Sequence, residues 1–258
     1  MPRRLRDGVK KTSGWQVEVH ENGTKPSGPN WENEFSSLLH KLERPENVIK
    51  HDHRGEVGTF MAGGIRYVVK KFTFQSTRLW FRLVSVFFPT LGEIACRNGL
   101  GLVADGIQTP RPVLLMQQVK NGMVTSSWVV YRFMEGDVLS EDNAQEIVSF
   151  VKSMHQSGWV HRDPHPANFI RTSRGLATLD PIKVRQSTSP YLRAYDVVLM
   201  EHDMPDASEL YGKTELQGWY RLAKLGHWFV RFYRALKSGL RRVLGIAVIH
   251  SVTSNKTF

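Results

Sequence analysis

The sequence predicts an α+β protein with two lobes, a small antiparallel-sheet N-lobe followed by a mainly helical C-lobe. Runs that are rich in β-branched and aromatic residues concentrate before residue 134, whereas helical spacing of apolar residues dominates after it. Its 258 residues are enough for two such lobes around a cleft. We therefore assign 1–30 to an N-terminal extension, 31–134 to the N-lobe and 135–258 to the C-lobe.

The N-lobe begins with three predicted strands, at 47–50, 56–61 and 65–72, and Gly63-Gly64 suits the tight turn between the last two. A shorter alternating run, Trp15–Val19, is a candidate strand nearer the start of the chain. Helical character extends over 79–97, until glycines at 99 and 101 are expected to end it.

A hairpin and a helix follow. Strands are predicted at 113–118 and 127–133, joined across Asn121-Gly122. Glu135-Gly136 then marks the expected hinge between the lobes. From 141 to 156 the apolar residues recur at helical spacing.

Composition limits the compartment and the partners. A single cysteine, Cys96, excludes a disulfide framework and indicates a cytoplasmic protein, and we expect its thiol to be buried rather than reactive. No export signal is readable, and no apolar run is long enough to span a membrane. The net charge is +11, and segment 213–258 contributes about +8 of it, from nine Lys or Arg and one acidic residue. Such a balance suits nucleic acid or an anionic membrane surface.

The most informative stretch runs from Trp159 to Asn168. Within it Asp163 is followed five positions later by Asn168, and Asp180 closes a short apolar run downstream. Asp163 can accept the proton of an acceptor hydroxyl, while Asn168 and Asp180 offer hard oxygen ligands to Mg²⁺. Each residue alone also suits a turn, but the three at this spacing form the phosphoryl-transfer constellation of protein-kinase-like enzymes.

Two further residues complete the predicted ATP site. Lys70, near the end of the third strand, is expected to grip the phosphates of ATP, and Glu93 on the following helix is expected to pair with it. Lys71 is the competing lysine, but successive strand residues face opposite sides. The alternatives are a solvent-facing lysine and an exposed helical carboxylate.

Three other features give weaker predictions about the site. We expect His161 to be structural, holding the catalytic loop through a backbone hydrogen bond, and His165 to be structural rather than a metal ligand. A Gly-rich loop is absent, so the loop from His51 to Gly55, with Arg54, is the candidate cover for the phosphates.

The tail from Trp219 to Leu244 has two interpretations. Its apolar residues follow helical spacing, and basic residues lie between them. A basic amphipathic helix with aromatic residues suits an anionic membrane surface. The same pattern suits a last helix that packs its apolar stripe on the C-lobe, and the two interpretations can hold for different turns.

The chain resembles the bacterial lipopolysaccharide core kinases, the heptose kinases and the related Kdo kinase. The anchors are Tyr67–Lys70, Glu93, the run from Asp163 to Ile170, and Leu179-Asp180. The resemblance implies a protein-kinase-like fold and transfer of the ATP γ-phosphate to a heptose or Kdo hydroxyl. It also implies a location at the cytoplasmic face of the inner membrane, and no nucleic-acid partner is expected. Asp196 matches the aspartate that supports the catalytic loop in that family.

The sequence departs from eukaryotic-type protein kinases after Asp180. Pro181-Ile182 follows it in place of Phe-Gly, and no Ala-Pro-Glu segment precedes Tyr195. This favours a constitutive small-substrate kinase. The alternatives are a protein kinase or another small-molecule phosphotransferase, and a non-catalytic nucleotide-binding or membrane scaffold.

Overall fold

A seven-stranded antiparallel sheet dominates the first half of the chain. The computed structural model describes residues 9–12, 15–19, 40, 45–52, 55–72, 79–212 and 216–243. The strand order is β1-β2-β6-β7-β5-β4-β3. The strands are β1 (Val9–Thr12), β2 (Trp15–Val19), β3 (Asn47–Asp52), β4 (Gly55–Ala62), β5 (Ile65–Phe72), β6 (Pro112–Lys120) and β7 (Met123–Arg132).

The predicted strands and turns of this sheet are present; β2 and β5 have the predicted bounds, and β3, β4, β6 and β7 are longer than the sequence indicated. The turn between β6 and β7 places Asn121 at φ 52° and Gly122 at φ 75°, the left-handed pair that a two-residue hairpin needs. Strands β1 and β2 lie within the segment assigned to an N-terminal extension, yet β2 is hydrogen-bonded to β6. The sheet therefore includes part of that segment, and the domain boundaries stay a prediction.

The two faces of β5 have different surroundings. Tyr67 and Val69 are buried in one cluster with Phe60 and Met116, whereas Phe72 packs on the other face against the helix that follows. Lys70 shares the face of Phe72 because residues two apart point the same way. This alternation directs Lys70 toward the helix and the second half of the chain.

Two helices, α1 (Leu79–Val84) and α2 (Leu91–Ala104), separate β5 from β6. The expectation that Gly99 and Gly101 end the helix is wrong, because α2 continues to Ala104. A Cβ on Gly99 would lie 2.8 Å from the Pro112 side chain, and one on Gly101 would lie 2.8 Å from the Trp159 ring. The glycines permit close packing of α2 rather than ending it.

The second half is mainly helical, with three small strand pairings around the loop that carries Asp163. Its core contains Ile147, Val151, Phe169 and Val197. The helices are α3 (Ala144–Gln156), α4 (Pro190–Met200), α5 (Ala207–Tyr211) and α6 (Gln217–Val243). The short strands are β8 (Asp137–Val138), β9 (Trp159–Val160), β10 (Phe169–Thr172), β11 (Gly175–Thr178) and β12 (Arg185–Gln186).

Helix α6 packs on α4 only through its first turns. Ala223 is fully buried, and a Cβ on Gly226 would lie 2.6 Å from the Tyr191 hydroxyl. The predicted apolar stripe is exposed instead: Leu225, Phe229 and Phe232 lie 62%, 62% and 52% open to solvent. Packing of this stripe on the C-lobe is therefore excluded for these residues. No helix in the described part of the chain is long and apolar enough to cross a membrane.

Candidate active site

The catalytic loop between β9 and β10 is supported from beneath by one buried carboxylate. Asp196 on α4 is fully buried, and its two oxygens accept the backbone N–H groups of His161 and Arg162, each at 2.6 Å. His155 on α3 lies 3.0 Å from the same carboxylate and 2.7 Å from the Tyr211 hydroxyl. The supporting role predicted for Asp196 is confirmed.

This support holds a strained backbone. Arg162 has φ 63°, a left-handed conformation that disfavours side chains with a Cβ by roughly 1–2 kcal/mol. The chain reverses at that residue and presents the next one, Asp163, to solvent. The strain at residue 162 is thus part of how the loop aims the candidate base.

His161 is structural, but its contact differs from the one expected. Its Nε2 lies 2.8 Å from the Thr178 hydroxyl, so a side chain rather than a backbone group holds the ring. Burial lowers the pKa of His161 below its usual 6.5, although the carboxylates of Asp196, Asp163 and Asp180 oppose this effect. The imidazole is therefore neutral at pH 7 and does not act as an acid in the site.

His165 is also structural. Its Nδ1 accepts the Ala167 N–H at 3.2 Å, which caps a short 3₁₀ turn over Pro166–Asn168. Among the residues that the structure describes, no three His, Cys, Asp or Glu side chains converge on one point. An Mg²⁺ ion that is bound through phosphates needs only one or two protein ligands.

Asn168 and Asp180 meet at one end of the β10–β11 hairpin. The Leu179 N–H donates to the Asn168 carbonyl at 2.8 Å, which places residue 180 beside residue 168. The Asn168 side-chain amide donates to the Asp163 carbonyl at 2.9 Å, leaving its Oδ1 available. An amide oxygen and a carboxylate on neighbouring residues of this hairpin end are hard ligands of the kind that Mg²⁺ prefers, so these residues fit the ion.

Lys70 contacts Asp180. Its Nζ lies 3.0 Å from Asp180 Oδ1, and both side chains are about a quarter exposed. Lys71 lies on the opposite face, with its Nζ 5.5 Å from the centre of the Trp128 ring. The structure thus brings Lys70, Asp163, Asn168 and Asp180 to one edge of the cleft, as the sequence indicated.

Glu93 takes a different position from the one expected. Its carboxylate accepts the Thr90 N–H at 2.7 Å, and the Thr90 hydroxyl accepts the Glu93 N–H at 3.2 Å, which forms a capping box at the start of α2. The contact that Lys70 makes is with Asp180 rather than with this carboxylate. The predicted Lys70–Glu93 pair stays a prediction.

The inner wall behind Lys70 is apolar. Cys96 on α2 is buried as expected, and burial raises the pKa of its thiol well above the usual value, which excludes a reactive thiolate. Tyr131 on β7 packs beside it, and burial raises the pKa of its hydroxyl, with the charge of Asp180 adding to the effect. Both residues belong to the buried cluster between α2 and the sheet.

The hairpin between β3 and β4 ends above Lys70. Val57 is the register partner of Lys70, and Gly55 is the partner of Phe72, so the hairpin tip lies at the end of β5 that carries the lysine. Residues 53 and 54 of the predicted phosphate-covering loop, including Arg54, lie outside the described residues.

Sequence reasoning missed Lys183. Its Nζ lies 2.7 Å from Asp163 Oδ2, although it is twenty positions away in the chain. The sequence carries part of the signal, because Pro181-Ile182 stands where Phe-Gly follows the aspartate in eukaryotic-type protein kinases. Without the fold, however, nothing in the spacing brings residue 183 back to residue 163.

The chain has a two-lobed, protein-kinase-like α+β fold, which confirms the predicted fold class. One similar solved structure is described as "WaaP in complex with acyl carrier protein", with 13% identity, a TM-score of 0.51, and coverage of 81% of this chain and 98% of that chain. At this identity the likeness describes the fold. No family model and no curated protein matches the chain. Because 1107 chains of solved structures match it, the fold alone does not specify an acceptor.

Proposed function

We propose that this protein is an ATP- and Mg²⁺-dependent kinase that phosphorylates a heptose or Kdo hydroxyl of the lipopolysaccharide inner core. The observation that carries the proposal is the convergence of Lys70, Asp163, Asn168 and Asp180 at one edge of the cleft. The resemblance of the Asp163–Ile170 run to lipopolysaccharide core kinases supports the acceptor class. The WaaP-like fold supports phosphoryl transfer.

Each residue has a defined task in this proposal. Asp163 accepts the proton of the acceptor hydroxyl, and Lys70 holds the α- and β-phosphates. Asn168 and Asp180 hold Mg²⁺, which when bound offsets the negative charge of the phosphates. The buried Asp196 keeps Asp163 oriented through the backbone of the loop.

The segment after Asp180 favours a small or extended acceptor over a folded protein. Strand β12 pairs with β9 almost at once, with Arg185 opposite Val160, and α4 begins at Pro190. Residues 181–189 are therefore too few, and too tightly held, to form the long peptide-docking segment of regulated protein kinases. The acceptor side of Asp163 is left open.

The outer half of α6 supports a location on the membrane. Past His227 the helix exposes its aromatic residues on a strongly basic background, with Trp228 at 59% and Tyr233 at 58%. Basic helices with exposed aromatic rings bind anionic interfaces by charge attraction and shallow insertion. We infer peripheral binding at the cytoplasmic face of the inner membrane, where the acceptor lipid is made.

A protein partner is the second candidate for this surface. The solved WaaP structure contains an acyl carrier protein. Pull-down with purified acyl carrier protein, with and without the exposed half of α6, would show whether the basic helix serves that partner instead.

Transfer of ³²P from ATP to defined acceptors tests the activity. Purified protein is incubated with Mg²⁺ and, in parallel, core oligosaccharide that contains heptose and Kdo, a protein substrate, or an aminoglycoside. We expect labelling of the core oligosaccharide and its absence in the Asp163→Asn and Asp180→Ala proteins. Labelling of protein or aminoglycoside alone would replace the proposed acceptor, and an absence of transfer with intact ATP binding would favour a non-catalytic role.

A further inference from the structure

Lys183 forms an exposed ion pair, which is expected to contribute little to the stability of the fold. Its Nζ lies 2.7 Å from Asp163 Oδ2, while the two side chains are 47% and 42% exposed. Ion pairs this open to solvent are screened, and they contribute little to the free energy of folding. The position of the pair at the candidate base therefore points to a functional role.

The backbone that carries Lys183 is fixed from one side by α2. Asn98 is buried, and its side-chain amide donates to the Pro181 carbonyl at 2.9 Å and to the Val184 carbonyl at 2.5 Å. The two hydrogen bonds bracket residues 182 and 183. The turn after Asp180 is thus clamped to a helix rather than left as a mobile loop.

The catalytic loop fixes the same turn from the other side. Arg185 and Gln186 pair with Val160 and Trp159, the residues that immediately precede the loop, and the Ser187 N–H donates to the Gly158 carbonyl at 2.8 Å. With both flanks held, the ammonium of Lys183 can move only over the range that its own side chain allows. In the structure this ammonium contacts Asp163 Oδ2 at 2.7 Å.

In the proposed kinase, Asp163 and Asp180 would place two carboxylates next to the transferring phosphoryl group, where a second positive charge would offset theirs. The ammonium of Lys70 lies at Asp180 rather than at Asp163. The ring of His165 lies in the cap of its own turn. Of the described side chains in contact with the Asp163 carboxylate, Lys183 is the one that carries a positive charge.

We propose that Lys183 is a catalytic residue, whose ammonium binds a non-bridging oxygen of the transferring γ-phosphoryl group while it keeps Asp163 oriented. This inference rests on the proposed kinase function. A lysine ammonium has three donors, so it can contact Asp163 Oδ2 and a phosphoryl oxygen together. Asp163 Oδ1 is left to accept the proton.

The step conserves charge and bonds. The acceptor oxygen forms a bond to the γ-phosphorus as its proton passes to Asp163. The bond from the γ-phosphorus to the oxygen that bridges it to the β-phosphorus breaks, and its electron pair leaves with ADP. Lys183 stays protonated throughout and stabilises charge on the transferring group, an interaction that is strongest in the transition state.

Equilibrium binding separates this role from a structural one. The parent protein, Lys183→Met, Lys183→Arg and the exposed-lysine control Lys120→Met are titrated with Mg²⁺–ADP, with and without aluminium fluoride, which mimics the transferring phosphoryl group. For Lys183→Met we expect ADP affinity within about twofold of the parent but at least tenfold weaker binding of the aluminium fluoride complex. The kcat of ATP hydrolysis should fall about 100-fold with little change in KM, as for loss of one transition-state donor. Lys183→Arg should recover part of both losses.

The other outcomes are distinct. If Lys183→Met binds the aluminium fluoride complex as tightly as Lys120→Met does, Lys183 does not touch the phosphoryl group. Equal weakening of ADP and of the complex, together with a lower Tm, would make it a structural residue and would overturn the inference. If the parent itself binds no ADP, the kinase function fails first, and the role of Lys183 falls with it.

Discussion

The buried carboxylate of Asp196 provides the sharpest test of how the catalytic loop is held. Its Oδ1 accepts the Arg162 N–H and its Oδ2 accepts the His161 N–H, both at 2.6 Å. In Asp196→Asn one of these oxygens becomes an NH₂ group, so one buried N–H loses its acceptor and faces another donor. The charge that strengthens the remaining hydrogen bonds is lost as well.

The expected cost follows from these contacts. An unsatisfied buried donor costs about 1–3 kcal/mol, and replacing charge-assisted hydrogen bonds by neutral ones adds to it. We therefore expect Asp196→Asn to lower the free energy of unfolding by about 2–4 kcal/mol. For a chain of this size that is a fall in Tm of roughly 4–16 °C.

Urea denaturation and thermal melting measure this change, with Asp206→Asn as the matched control. Asp206 is exposed and makes no side-chain cap at the start of α5, so its substitution makes the same change of charge without the buried contacts. Turnover of ATP should also fall in Asp196→Asn, because the left-handed residue 162 is free to relax. Stability within about 0.5 kcal/mol of the control would refute the proposed support of the loop.

Three further predictions concern the cleft, a buried imidazole and the last helix. Lys70→Met should reduce ATP turnover by at least tenfold and Lys71→Met only mildly, because Lys71 faces Trp128; equal losses in a kinetic assay would contradict the register of β5. The pKa of His161 is lowered by burial, so the stability that depends on its neutral form is complete above about pH 6.5 and is lost as the pH falls below that value. Lowering the pH from 7 to 5 should therefore reduce the free energy of unfolding of the parent more than that of His161→Gln. If the two free energies fall in parallel with pH, the neutral form of His161 does not contribute to stability. The affinity for anionic vesicles at low salt, measured by co-sedimentation, should fall roughly 100-fold when three α6 charges of about 1 kcal/mol each are removed. A variant with three charges removed elsewhere should keep the parent's affinity. Equal recovery of the parent on neutral and anionic vesicles would contradict the membrane proposal. The α6 variant replaces Arg231, Arg234 and Lys237 with Gln, and its control replaces Arg97, Lys120 and Arg174 with Gln.

Local pattern was sufficient for much of the fold and for the centre of the site. Alternation along β5 predicted which of Lys70 and Lys71 faces the cleft, and the spacing from Asp163 to Asn168 predicted a loop that joins the two. These features depend on neighbours within a few residues. Their geometry is set by strand pleat and turn length, which a sequence displays directly.

The missed features depend on contacts between distant segments. Gly99 and Gly101 look like helix terminators until Pro112 and Trp159 pack against them. Lys183 meets Asp163 through a turn that Asn98 holds at Pro181 and Val184, a contact across more than eighty residues of the chain. The capping box that Glu93 forms with Thr90, three residues before it, was a local signal that the sequence analysis did not use.

The packing of α2 decides how the cleft can open. Its last turns are joined to the helical half of the molecule through Leu102, which shares a core with Met154 and Val184, and through the Trp159 indole, which donates to Asp105 at 2.7 Å. Its first turns pack under the sheet, where Ala95 contacts Phe72 and Leu115. An outward swing of α2 would break both sets of contacts. We therefore expect α2 to keep one position against both halves of the molecule, so that any change in the spacing between them has to come from other elements.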